Sequence, residues 1–442
     1  MNLSFIRKIS HFARCGFFEK LVSPEIVCPD AVELLMKHSP NYKVPKNNDE
    51  KTFNMKIRIS ILHILATYAR IFPNETIITL SNQSFLYSII NIFEITLHEN
   101  HESNTSEVEQ LLSLILFHFI EKEQPMICRV AIKIGLLELL IRIFKKQNDN
   151  CITHRLKSAL LRTIIRLIRF SPTAASYTWV KLRNEISELI FSDDISMRMW
   201  GIKYISTIIK MVEADSEDCL TLDFIQPLEL CPSIFVLMYD ECVPIRLQTI
   251  KILCRIIITQ GSERECKQLV YMGIIGLLLD VLKQNDLRNC TNSIVFPIII
   301  SLIRLIKISE KWCMIFIYSK GVEITLTYLK YSVEKIIIPV ILLIFNACNY
   351  SSFHTNKVLE YKTLDKLHRI KELINSEEFI KIIDRVIYSL IMKCTEYEIL
   401  YSFIMNSGDP YIIENRSIQD HLKIIQKKSN KLKEFIDSNK SK

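Results

Sequence analysis

Four of the chain's eight glycines stand at one position of a recurring phrase: Cys15-Gly16-Phe17-Phe18, Ile134-Gly135-Leu136-Leu137, Met272-Gly273-Ile274 and Lys320-Gly321-Val322. From 135 to 273 is 138 residues, or three periods of 46, and from 273 to 321 is 48. A period of that length is one supersecondary unit, too small to bury its own apolar face, so such units fold by stacking on their neighbours. The glycine then marks a helix junction at which a residue without a Cβ is favoured. A degenerate copy puts Lys362 in the glycine slot of Val358-Leu359-Glu360-Tyr361-Lys362-Thr363-Leu364.

Between these slots the apolar residues keep a helical period. A helix is predicted from about Val243, with Ile245, Ile250, Leu253 and Ile257 on one face, ending at Gly261 and followed by a second helical run across Gly273. With 49% hydrophobic residues and eight glycines in 442 residues, the chain lacks the turns of an all-β fold and the phosphate loops of an α/β enzyme. The class read from the sequence is all-α. Thirteen cysteines without a Cys-x-x-Cys pair suit a reducing compartment rather than a disulfide framework or zinc ribbon. The apolar runs 294–303 and 336–345 are about half the length of a membrane span and contain Pro297 and Pro339, so they are expected to be core helices. The first twenty residues are interrupted by His11, Arg14 and Glu19, which is not the pattern of a signal peptide.

The stretch Leu269-Val270-Tyr271-Met272-Gly273-Ile274-Ile275-Gly276-Leu277-Leu278 resembles the hallmark of armadillo repeats, of the type leu-val-x-x-gly-ile-x-x-leu-leu. The resemblance implies a right-handed α-solenoid of about eight units with irregular caps, inside the wider superfamily that includes HEAT repeats. The expected organisation is a partial repeat or cap over 1–36, a flexible loop over 37–52, the repeat array over 53–406 and a polar, basic tail over 407–442. In armadillo proteins the third helix of each unit lines a groove, and well-known members carry there a Trp and an Asn four residues apart. Here only Asn346 matches the Asn, with Leu342 in place of the Trp, so an Asn ladder for extended peptides is not expected.

A basic residue inside an apolar run stands near that position instead: Arg166, Lys210, Arg255 and Arg304, at spacings of 44, 45 and 49. One charge per repeat on one wall would suit an acidic segment; a solvated helix face is the plainer account. Arg155, Arg162, Arg166 and Arg169 share one stripe of their helix, within about 60° at the helical period. Trp200 and Trp312 read as core residues or groove anchors. His98-Glu99-Asn100-His101 lacks the helical His-Glu-x-x-His of a metalloprotease, and Cys231, Cys242, Cys254 and Cys266 read as core packing rather than a metal site.

The expected function is a non-catalytic scaffold or adaptor in the cytoplasm, with nuclear or centrosomal placement also open. Its partners are other proteins, acidic segments among them, with no cofactor, metal, small-molecule substrate or membrane span. Two alternatives stand beside it. One is a structural or regulatory subunit of a fixed assembly, such as a proton-pump regulatory subunit or a centrosomal or ciliary component. The other is a helical-repeat nucleic-acid binder, which would want aromatic side chains beside the basic ones.

Overall fold

The computed structural model describes residues 125–145, 154–214, 233–260, 263–284, 292–330, 334–374, 376–407 and 409–440, with single positions at 31, 33 and 34 and within 57–68. The early repeats, the loops expected at 37–52 and 98–106, and Gly16 lie outside the described residues. Every regular element among those described is helical. The main helices are α1 (Pro125–Lys133), α2 (Leu136–Lys145), α3 (His154–Ile168), α4 (Pro172–Ile190), α5 (Ile195–Ala214) and α6 (Val243–Arg255). There follow α7 (Glu263–Tyr271), α8 (Ile274–Gln284), α9 (Asn292–Ile308), α10 (Glu310–Tyr318), α11 (Gly321–Thr327) and α12 (Glu334–Ala347). The chain continues as α13 (Ser352–Leu359), α14 (Thr363–Leu373), α15 (Glu377–Lys393), α16 (Tyr397–Ser407), α17 (Pro410–Glu414) and α18 (Arg416–Lys440). Two compact units emerge, Met1–Gln226 with Tyr239–Gln248, and Pro227–Met238 with Thr249–Lys442.

In the second unit a long helix followed by two shorter ones recurs: α9, α10, α11, then α12, α13, α14. The short helix always meets the next one at a residue with positive φ. These are Gly273 at 90°, Lys320 at 60° and Lys362 at 56°, with Gly135 at 88° as their counterpart in the first unit. At each, the junction residue's N–H closes the helix before it, as in Gly273 N to Val270 O at 3.0 Å and Lys320 N to Ile317 O at 3.1 Å. Its carbonyl opens the helix after it, accepting from Leu277 N at 3.2 Å and from Ile324 N at 3.0 Å. The expected glycine slot is therefore a left-handed helix junction.

One register differs from the sequence reading. The left-handed residue of the third phrase is Lys320, and Gly321 is the first residue of α11. Gly321 has a separate reason to be glycine: a Cβ there would lie 2.3 Å from Cδ2 and Cε2 of Phe316 and 2.6 Å from its carbonyl oxygen. A second difference explains a missing phrase. One period after Gly135 is Lys181, which lies in the middle of the uninterrupted 19-residue helix α4, so no junction is made there. α4 starts on Ser171, whose Oγ accepts from Ala174 N at 3.2 Å, with Pro172 in the first turn, and nothing in its sequence breaks it before Ile190.

The core is the apolar face of the long helices. α9 buries Val295, Ile298, Ile299, Leu302, Leu305 and Ile306, and α12 buries Ile337, Val340, Ile341, Leu343 and Ile344, the i, i+3, i+4 pattern that fills the layer between neighbours. Pro297 and Pro339 lie inside these helices, where each removes one intrahelical N–H donor. Hydrogen bonds between neighbouring repeats inside each unit follow the period: Gln248 to Ser206 over 42 residues in the first, and Tyr350 to the Ile306 carbonyl over 44, Tyr328 to the Leu282 carbonyl over 46 and Ser301 to the Cys254 carbonyl over 47 in the second. Contacts at one period are what stacked repeats require, since each repeat touches its immediate neighbours. The region 407–442 ends in α18, which buries Ile418 and Ile425 and presents Lys423, Lys427, Lys428 and Lys431 to solvent.

Candidate functional site

The basic positions predicted from the sequence divide between the two units. Arg162, Arg166, Arg169 and Lys210 belong to the first, on α3, on the turn after it and on α5; Arg255 and Arg304 belong to the second, on α6 and α9. The side chain of Arg155 lies outside the described residues. Arg166 is half-buried, whereas Arg169 and Lys210 are exposed.

In the first unit α3 packs against α5, and two cations meet an indole there. The Arg162 guanidinium carbon is 4.3 Å from the centroid of Trp200, and Lys203 Nζ is 4.2 Å from the same centroid. Both distances are inside the range in which the ring quadrupole attracts a cation. The ammonium of Lys203 is held below its ordinary value of 10.5, first by part-burial and then by the positive charges of Arg162 and Arg169. These groups are thus close enough to repel one another and are gathered by the ring and the helix packing. Sequence reasoning named Arg162 and Arg169 from their stripe and missed Lys203. The available signal was Trp200 followed three residues later by Lys203, one helical turn along the same face.

In the second unit the ladder positions have structural partners. After Arg255 the helix widens into a π turn over Ile256–Gln260. Such a turn shifts the hydrogen-bond register and leaves a carbonyl short of its usual donor. Arg304, one repeat on, donates from Nη1 to the Ile258 carbonyl, and Ser301 Oγ donates to the Cys254 carbonyl at 3.3 Å. Arg304 therefore clamps the end of the preceding long helix. Arg255 and Arg166 lie in the last turn of their helices, where a cation also complements the negative end of the helix dipole. Lys393, in the last turn of α15, reaches back in the same manner, donating to Asn349 Oδ1 at 2.7 Å and lying 5.0 Å from the Phe345 ring. Asn346 donates from Nδ2 to the Leu342 carbonyl of its own helix at 2.6 Å.

Two further constellations have plain structural accounts. Ser351 Oγ lies 2.8 Å from His354 Nδ1, and His354 Nε2 lies 3.8 Å from Glu310 Oε1, which superficially resembles a hydrolytic triad. Ser351 is the N-cap residue of α13 and His354 is three residues along, so the Ser–His contact is a local one within the first turn of that helix. Lys371 binds Asp384 at 2.9 Å and Asp409 at 3.1 Å, tying α14, α15 and the turn before α17 together. Beside Asp384 an open cleft of about 420 Å³ is lined by Lys381, Arg385, Tyr388 and Asn415. Trp312 is half-buried on α10. Among the described residues no group of His, Cys, Asp and Glu is placed to hold a metal, and no helix is long and apolar enough to cross a membrane.

No protein-family model and no curated protein matches the sequence. Solved structures do match the fold. An engineered protein known from its crystal structure aligns over 97% of this chain and 98% of its own, with a TM-score of 0.60 and 12% identity. A designed armadillo repeat protein aligns over 57% of this chain and 99% of its own at a TM-score of 0.45 and 12% identity. A second, in complex with the peptide (KR)4, covers 57% of this chain and 98% of its own at 0.45 and 12%. At such identities the likeness concerns fold alone. With its left-handed junctions at 273, 320 and 362 and its one-period hydrogen bonds, the chain is, over the described residues, an all-α solenoid of stacked helical repeats.

Proposed function

We propose that this protein is a non-catalytic scaffold that binds other proteins, acidic segments in particular, through the polar face of its long helices, and that it works in the cytoplasm. The observation that carries the reading is the seating of Arg162 and Lys203 on Trp200 between the packed helices α3 and α5, close enough to Arg169 for its charge to be felt at Lys203, with Arg166 one turn along and Lys210 further down α5. A lysine whose ammonium is already disfavoured by part-burial and neighbouring positive charge gains from an anionic partner. The formal net charge of +8 adds a long-range attraction for such a partner. Arg255 and Arg304 belong to the second unit and are not part of this cluster.

A nucleic-acid partner is the second reading, favoured by one observation: an aromatic ring, Trp200, does stand beside basic side chains. Affinity capture of the tagged full chain from cell lysate, with and without nuclease and read by mass spectrometry, separates the two. The scaffold reading predicts a nuclease-resistant set of proteins carrying acidic segments, depleted when Arg166 and Lys210 are both changed to Glu. A set that disappears on nuclease treatment would contradict it.

A further inference from the structure

Resting on that reading, we infer that Trp200 with Arg162 and Lys203 forms the anchoring subsite for the carboxylates of an acidic peptide, and that the indole positions the cations instead of stacking with the ligand. Three facts support it. First, the ring is already engaged by two cations, at 4.3 Å and 4.2 Å from its centroid. A nucleobase would have to displace one of them to stack, forfeiting a cation–π contact and leaving a charge unplaced. Second, the two cations come from different helices, Arg162 from α3 and Lys203 from α5, so the ring fixes their separation across the helix pair. A long, flexible Lys side chain loses rotamer freedom on binding, and prior seating on a ring reduces that loss. Third, Arg166 continues the stripe of α3 one turn beyond Arg162, and Arg169 follows on the turn after the helix. An extended acidic chain running along α3 would therefore pass several positive charges in succession.

Carboxylate chemistry is favoured over base stacking because the ring is already engaged by two cations. Lys203 in turn responds to occupation: a bound carboxylate offsets the charges of Arg162 and Arg169 that now depress it.

The experiment uses the full chain and its own fluorescence. The protein has three tryptophans, and Trp179 is 4% exposed while Trp200 is half-buried beside the proposed subsite. A dye-labelled oligoglutamate peptide is titrated at about 50 mM salt, where surface charges are weakly screened, and peptide anisotropy and tryptophan emission are recorded together. An oligothymidylate of equal charge serves as competitor. The inference predicts an emission change that follows binding and is absent in Trp200→Phe, and a loss of affinity of roughly fivefold or more in Lys203→Gln, restored by Lys203→Arg. Arg162→Gln should weaken binding similarly, and the exposed Lys203 variants keep the test valid if that one folds poorly. Peptide binding that neither moves Trp200 emission nor depends on Lys203 would overturn the subsite and leave the scaffold reading standing. No binding of oligoglutamate to the unaltered protein would overturn both. Oligothymidylate binding more tightly and quenching Trp200 would assign the cluster to nucleic acid instead.

Discussion

Arg198 forks onto Asp240 one repeat away, with Nε 2.7 Å from Oδ2 and Nη2 3.1 Å from Oδ1, while its Nη1 donates to the carbonyls of Ser192 and Asp193 at 2.9 and 3.1 Å. Arg246 repeats the second half of this arrangement, donating to the carbonyls of Asp240 and Glu241 at 2.6 and 3.0 Å. Each arginine thus ties down the turn before its own long helix, and Arg198 also reaches the next turn. The Arg198 and Asp240 side chains are 13% and 5% exposed, and a well-shielded bidentate pair is costly to break from one side. Arg198→Ala should destabilise the first unit by about 3 kcal/mol, and Arg198→Lys by less, because Lys keeps the charge but loses the fork. Urea denaturation followed by circular dichroism checks the order.

The same pair sets a pH dependence. Burial alone would raise the Asp240 carboxyl, but hydrogen bonds from Arg198 and the Cys242 amide outweigh it and hold it below the ordinary 3.8. A depressed carboxyl contributes stability that is complete above its unfolded value and is lost as pH falls through its folded one. The stability gap between the unaltered protein and Asp240→Asn should therefore be constant from neutral pH to about 5, and should shrink below about 4. A gap that widens on acidification would contradict the assignment.

Three junction residues make a graded test. Gly273 has positive φ with open space around it, so Gly273→Ala should cost about 1 kcal/mol from the backbone alone. Gly321→Ala should cost more, about 2 kcal/mol or above, because Phe316 must move to admit the methyl group. Lys320→Gly should be within about 1 kcal/mol of neutral, since relief at the left-handed residue opposes a freer unfolded chain. Melting temperatures of the three variants give the ranking.

The buried thiols offer a probe of local opening. Burial pushes Cys254, Cys313 and Cys348 up to about 12 and Cys394 up to about 11. The reacting species is the thiolate, so these four should resist alkylation at neutral pH until their helices open, whereas the half-buried Cys242 reacts earlier. Mass spectrometry of the protein after timed alkylation reads the order directly.

The repeat was legible in the sequence wherever the backbone demanded something of the residue. Gly135 and Gly273 were found because a left-handed junction favours glycine, and Lys362 was found because the surrounding phrase kept its apolar pattern. Lys320 and Gly321 were misregistered by one for a physical reason: a lysine tolerates the left-handed conformation at modest cost, and the adjacent glycine answers a different need, the approach of Phe316. The break at Lys181 was not legible, since an uninterrupted helix and a junction share the same apolar period. At the candidate site the stripe of Arg162, Arg166 and Arg169 followed from helical geometry. The role of Arg304 did not, because it depends on a π turn in the preceding repeat that no residue pattern announces. The pairing of Trp200 with Arg162 needs two helices to be packed before it exists.

The central claim is that the basic face of α3 and α5 binds an acidic partner. Its most direct test is the anisotropy of a labelled oligoglutamate peptide on the full chain, comparing the unaltered protein with Arg166→Glu combined with Lys210→Glu at low and high salt. The account predicts unchanged helicity and melting, binding weakened roughly tenfold or more by the double reversal at low salt, and the difference between the proteins narrowing as salt rises. Equal affinity of the two proteins at low salt would contradict it.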